Sequence, residues 1–148
     1  MLAVPTVVFQ LHYVRKDMRL KVFTQIQDTN RALVEHALDD TSLARLLEGG
    51  RPRPPAKAKA YAQLWFNQIY LIHHATREGH ITRAQSHGYT ADFRQFLQLP
   101  FMRTHWPQFR PTYAASFQRF VDDLLKDSPS SSKPSPKTAG LGGKTKSS

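Results

Sequence analysis

The chain has no cysteine. Disulfide frameworks, zinc–thiolate sites, iron–sulfur clusters and thiol nucleophiles are therefore excluded. The compartment stays open on that count. Acidic residues are scarce: 11 Asp and Glu stand against 21 Lys and Arg, for a formal net charge of +10. Long apolar runs are missing as well. The N-terminal stretch Met1–Leu11 contains Gln10, is followed by His12 and gives way to Arg15 and Lys16, whereas a membrane-spanning helix takes about 20 apolar residues. It lacks the basic leader and small-residue cleavage site of a secretory signal. No Gly-x-Ser-x-Gly elbow, phosphate-binding loop or dinucleotide fingerprint occurs.

What is present suits one domain. The 148 residues are 40% hydrophobic and 11% aromatic, enough for a core, which excludes a multidomain machine, a wholly disordered chain and a fibre. Residues 128–148 are Ser, Pro, Gly, Lys and little else, with Leu141 as the one sizeable apolar side chain. Such a segment cannot offset its ordering entropy and is expected to be a disordered tail. Lys133, Lys137, Lys144 and Lys146 place four of the ten excess charges there. The expected division is an apolar and basic N-terminal segment, 1–24, a helical domain, 25–127, and the tail.

The domain reads as all-α, a compact bundle of five or six helices. Leu11, Val14, Met18, Val22, Ile26, Leu33 and Ala37 lie on one stripe and predict a first helix from about Gln10 to Leu38. Asp40 or Thr41 caps a short helix over Ser42–Glu48, which Gly49 and Gly50 end. Arg51–Pro55 reads as an extended linker. The following helix, to about Arg77, has Tyr61, Leu64, Trp65, Ile69 and Ile72 on one face and Phe66, Tyr70 and Leu71 on others. That makes it the central helix, and Gly79 stops it. Thr82 and Gln85 form a capping box. Gly88 is expected to weaken or break the helix so begun, and Thr90 to cap it anew. Phe93, Phe96 and Leu97 face inward, a short Phe101–Trp106 helix follows, and Pro107 punctuates. Pro111 opens the last helix, where Tyr113, Phe117, Phe120 and Leu124 repeat at helical spacing and Asp122 and Asp123 take the wet side.

Chemistry is sparse. The seven histidines include no His-x-x-x-His or Glu-x-x-His pair, so helical metal-ligand spacing is missing. His73, Glu78 and His80 are the nearest approach to a cluster, and neither a metal nor a cofactor is expected. Asp39–Asp40 and Asp122–Asp123 do not read as paired acid–base groups, so no enzyme activity is expected. Arg51, Arg53, Lys57 and Lys59 crowd a helix N-terminus, an end that favours anions. They form a candidate anion-binding site. Asn67 is expected to be a buried anchor, and Arg103, beside Trp106, to pair with Glu78, Asp92 or a terminal carbonyl. Arg15, Lys16, Arg19 and Lys21 form a candidate membrane flank.

The run Asn30–Ala44, with its Ala-Leu-Asp-Asp-x-x-Leu cadence, carries a resemblance together with Tyr61, Leu64–Asn67, Gly79–Thr82, Phe93, Phe96, Leu97, Pro100, Arg103 and Trp106. Over roughly Gln25–Trp106 the chain resembles a family of uncharacterised small bacterial proteins with an all-helical domain, often preceded by a membrane segment. The resemblance implies the fold and a membrane-tethered alternative, and it supplies no catalytic residue. The leading expectation is a non-enzymatic helical interaction or regulatory module that binds a protein partner or itself. One alternative is a basic nucleic-acid-binding protein. Another is a peripheral or tethered protein that meets an anionic membrane surface through its N-terminal segment. The expected location is the cytoplasm, or a membrane if the true start lies upstream.

Overall fold

A computed structural model describes the backbone of residues 4–51 and 55–126, with side chains at Gln10 and from Tyr13 onward. The tail expected at 128–148 and the linker residues 52–54 lie outside the described residues. Within them run α1 (Val4–Leu38), α2 (Thr41–Leu47), α3 (Pro55–Arg77), α4 (Arg83–Phe96), α5 (Pro100–Phe109), a 3-10 turn (Arg110–Thr112) and α6 (Ala115–Lys126). No strand occurs among the described residues. The all-α expectation holds, at six helices.

Local chemistry sets the helix ends. Asp40 caps α2: its Oδ1 accepts from the Ser42 backbone N–H at 2.9 Å and from the Ser42 hydroxyl at 2.6 Å. Thr82 and Gln85 close the predicted capping box, with Thr82 N donating to Gln85 Oε1 at 2.9 Å and Gln85 N donating to Thr82 Oγ1 at 3.3 Å. Gly79 ends α3 with φ +73, a left-handed conformation that costs glycine little. Its N–H donates to Thr76 O at 3.1 Å and that of His80 to Ala75 O at 2.9 Å, a Schellman pair.

Several expectations about helix breaks and starts are corrected. Gly88 lies inside a continuous α4, because one interior glycine costs about 1 kcal/mol and the capping box and the buried Phe93 offset it. Thr90 does not recap the helix; its hydroxyl donates back to Ser86 O at 2.8 Å. Pro107 sits inside α5 with its ring on the exposed side, and Pro111 belongs to the 3-10 turn. Tyr113 is extended, φ −102 and ψ 159, so α6 begins only at Ala115. α1 itself starts at Val4 rather than near Gln10.

α3 is the central element, as its apolar character on several faces predicts. Trp65 packs on Phe96 of α4 with centroids 4.5 Å apart, and Phe66 on Trp106 of α5 at 5.0 Å. Tyr70 meets Phe117 of α6 edge-on at 5.1 Å. Aromatic pairs in such arrangements contribute about 0.5–1.5 kcal/mol beyond their buried area. Leu64 leaves the predicted face and is 47% exposed. Two polar side chains lock α3 against α1. The Tyr61 hydroxyl donates to Leu33 O at 2.8 Å, and Gln68 Nε2 donates to Ile26 O at 3.0 Å and to Asn30 Oδ1 at 3.1 Å. Gln68 is therefore the buried anchor. Asn67, expected in that role, is exposed and accepts from the Tyr113 hydroxyl at 2.6 Å. Burial pushes the Tyr113 phenol up to about 12, so it remains a donor at neutral pH.

Candidate functional site

α1 outruns the domain that it packs on. Its 35 residues span about 52 Å, against about 35 Å for the 23 residues of α3. Burial begins at Val22 and Phe23, which are half-buried, and is complete at Ile26, Leu33 and Ala37. Every residue from Tyr13 to Lys21 is exposed. Val14 and Met18, expected on the buried stripe, therefore stand in solvent. With Tyr13 and Leu20 they are between 46% and 71% exposed. The reason lies in the same helix: Arg19 stands seven residues before Ile26 and Arg15 eleven before it, so both continue the line of the core face. Two guanidinium groups on that line end the buried seam. Lys16 is exposed, and Lys21 pairs with Asp17 at 2.7 Å across one turn. The four flank cations thus share one projecting arm with four exposed apolar side chains. Sequence reasoning found the cations but placed half of the apolar residues in the core. The arginines at core-line positions were the available signal.

The four cations of the candidate anion site take separate roles. Lys57 is held by Asp40, and the lysine ammonium, then the Ser42 hydroxyl, keeps that carboxyl well below the usual carboxylate range. Lys59 lies over the Phe109 ring at 6.0 Å. Arg51 is exposed and lines a cavity against α5. Arg53 lies outside the described residues. Tyr61 and Trp65 are buried, as their place on the core stripe predicts, so neither ring is open to stack on a base.

Asp122, expected on the wet side of α6, is half-buried and organises a small polar junction. Trp106 Nε1 donates to its Oδ1 at 2.9 Å, and Arg110 donates to its Oδ2 through Nε at 3.1 Å and Nη2 at 2.8 Å. The Arg110 hydrogen bond, against some desolvation, lowers the Asp122 carboxyl below its ordinary value. Arg103 donates to Gln98 Oε1 at 3.0 Å rather than to Glu78 or Asp92. His73 packs tilted against Phe120 at 4.7 Å and Phe117 at 5.6 Å. Burial first, then Arg77 and His74, push its imidazole down. His73, Glu78 and His80 form no metal-holding group, nor do any other three His, Cys, Asp or Glu side chains among the described residues. No helix among the described residues is long and apolar enough to cross a membrane.

Fold and surface together define the class: an all-helical domain that carries a projecting helical arm studded with cations and apolar side chains. The chain belongs to the family of unknown function DUF6082, which matches residues 1–140. That span takes in the arm as well as the core, well beyond the Gln25–Trp106 stretch of the sequence resemblance. No curated protein and no solved structure matches the chain.

Proposed function

We propose that the protein is a non-enzymatic interaction module whose first helix is its attachment arm, and that the arm's counterpart is an anionic membrane surface. One observation carries this reading: Tyr13, Val14, Met18 and Leu20 are exposed among Arg15, Lys16 and Arg19 on a stretch of helix that the domain does not cover. Apolar side chains set among cations gain on both counts at a lipid interface. The chains insert into the headgroup boundary, and each cation near an anionic leaflet contributes about 1 kcal/mol. The mode is interfacial, with the arm lying on the surface. A purely apolar protein groove would leave the same cations without partners.

Co-sedimentation of the full chain with vesicles tests this. Binding is expected to vesicles of mixed phosphatidylcholine and phosphatidylglycerol, to fall with added salt and to be weak on phosphatidylcholine alone. The double substitution Val14→Asp with Met18→Asp, on residues that the core does not use, is expected to abolish it. A chain that never sediments with anionic vesicles refutes the membrane counterpart. Dimerisation through the arm, seen by light scattering and lost in the same variant, would transfer the arm to a second copy.

A further inference from the structure

We propose that the cavity between the Gly50–Arg51 turn and α5 binds a small anion with an apolar body, such as an aromatic carboxylate, with Arg51 as its charge partner. The cavity measures about 440 Å³ and is lined by Gly50, Arg51, Pro100, Phe101, Thr104 and His105, among others. That volume lies within the roughly 300–1,000 Å³ of small-molecule sites. Among the described residues, no carboxylate lines it. Its polar groups are a guanidinium, a hydroxyl and an imidazole, and its walls are otherwise a phenyl ring, prolines and glycine backbone. A polar rim over apolar walls suits a ligand of the same division.

The guanidinium lacks the counter-charge that an acid would supply. Arg51 has no ion-pair partner among the described residues, and its planar fork matches a carboxylate in two parallel hydrogen bonds. His105 lines the cavity beside Arg51. Burial, and then the Lys59 charge, push the His105 imidazole down, so cations already crowd this end of the domain. Asp40 neutralises Lys57, and Lys59 lies over the face of Phe109.

The turn that carries Arg51 is tightly closed on α2. Gly50 N–H donates to Arg45 O at 2.7 Å, and a Cβ at Gly50 would stand 2.7 Å from that same oxygen. No side chain fits at Gly50, so the turn keeps this backbone path and places Arg51 at the cavity. Phe101, 3% exposed and stacked on Tyr61 at 6.0 Å, makes a fixed floor.

The test is a titration of the isotope-labelled full chain with benzoate, followed by amide chemical shifts, with benzyl alcohol as the uncharged analogue. Benzoate is expected to shift Gly50, Arg51, Thr104 and His105 together with a dissociation constant of about 1–10 mM, as ordinary ligand efficiency allows for so small a molecule. It should raise the His105 pKa. Benzyl alcohol should bind about tenfold more weakly or worse, and Arg51→Gln should bring benzoate down by a similar factor. Arg45→Gln, an exposed cation near the turn but not among the lining residues, should change nothing. Three results would each overturn the proposal. These are no saturable shift at the four residues up to about 50 mM benzoate, benzoate affinity unchanged in Arg51→Gln, and shifts confined to the α1 arm.

Discussion

Replacing Gly88 by Ala should stabilise the domain. The residue lies inside α4, is exposed, and a Cβ placed there meets nothing within 4 Å. Its φ lies outside the left-handed range, so alanine takes the native backbone without strain. Two effects then share a sign: alanine is the better helix former, and the unfolded chain loses freedom that glycine gives it. The expected gain is about 0.5–1 kcal/mol. For a domain of this size that raises the melting temperature by about 2–5 °C. Urea unfolding followed by far-ultraviolet circular dichroism measures it, with an unchanged m-value as the check that the unfolded state is comparable. Gly50→Ala supplies the opposite sign under the same assay, because its Cβ would press on Arg45 O at 2.7 Å and the backbone must move. A Gly88→Ala protein that is equal to or weaker than the parent would refute the reasoning. It would mean that the open face of α4 is covered by something that a methyl group disturbs.

Asp122→Ala leaves the Trp106 indole N–H without its acceptor in a residue only 4% exposed, and should cost about 1–3 kcal/mol. Asp122→Asn keeps a carbonyl for that donor and should cost less. Because the Asp122 pKa is depressed, its stabilisation is present above the ordinary carboxylate value and fades as pH falls through the folded value. Acid titration of Asp122→Asn should lack that part of the loss, and an identical acid profile in the two proteins would refute the assignment. His73 has its pKa lowered by burial, so the unfolded chain takes up that proton first. Stability should therefore be full above about pH 6.5 and decline below it. His73→Phe, placed against Phe117 and Phe120, should flatten the decline between about pH 7 and 5. An unchanged slope would shift the effect to other groups, His105 first.

Patterns of one element were legible in the sequence, and pairings between elements were not. The capping box at Thr82, the Asp40 cap, the end of α3 at Gly79 and the central place of α3 depend on residues a few positions apart. Asn67 and Gln68 are adjacent, and a single step turns a helix by about 100°. Which of the two meets α1 depends on where Ile26 arrives, and no local rule carries that. Asp122 reads as solvated until Trp106 and Arg110 come from another element. The separate neighbours of Lys57 and Lys59 in the anion cluster were hidden for the same reason, since Asp40 and Phe109 come from other elements. The arm shows the converse. Val14 and Met18 fit the core spacing, but a stripe says only that side chains share a face, and here Arg15 and Arg19 occupy the line that continues the core.

Two of the bonds from α3 to α1 reach its backbone seven residues apart on both helices, Tyr61 to Leu33 and Gln68 to Ile26. As the numbers rise along one helix they fall along the other, so the pair acts like two rungs of a ladder. One rung alone would allow α1 to pivot, whereas two fix its sliding and its rotation together. A pull on the free end of α1 is thus delivered to the middle of the core instead of being absorbed by slippage. Whatever grips the arm holds the whole domain at a set angle, and the direction in which the domain faces is decided at Gln68 and Tyr61, far from the point of attachment.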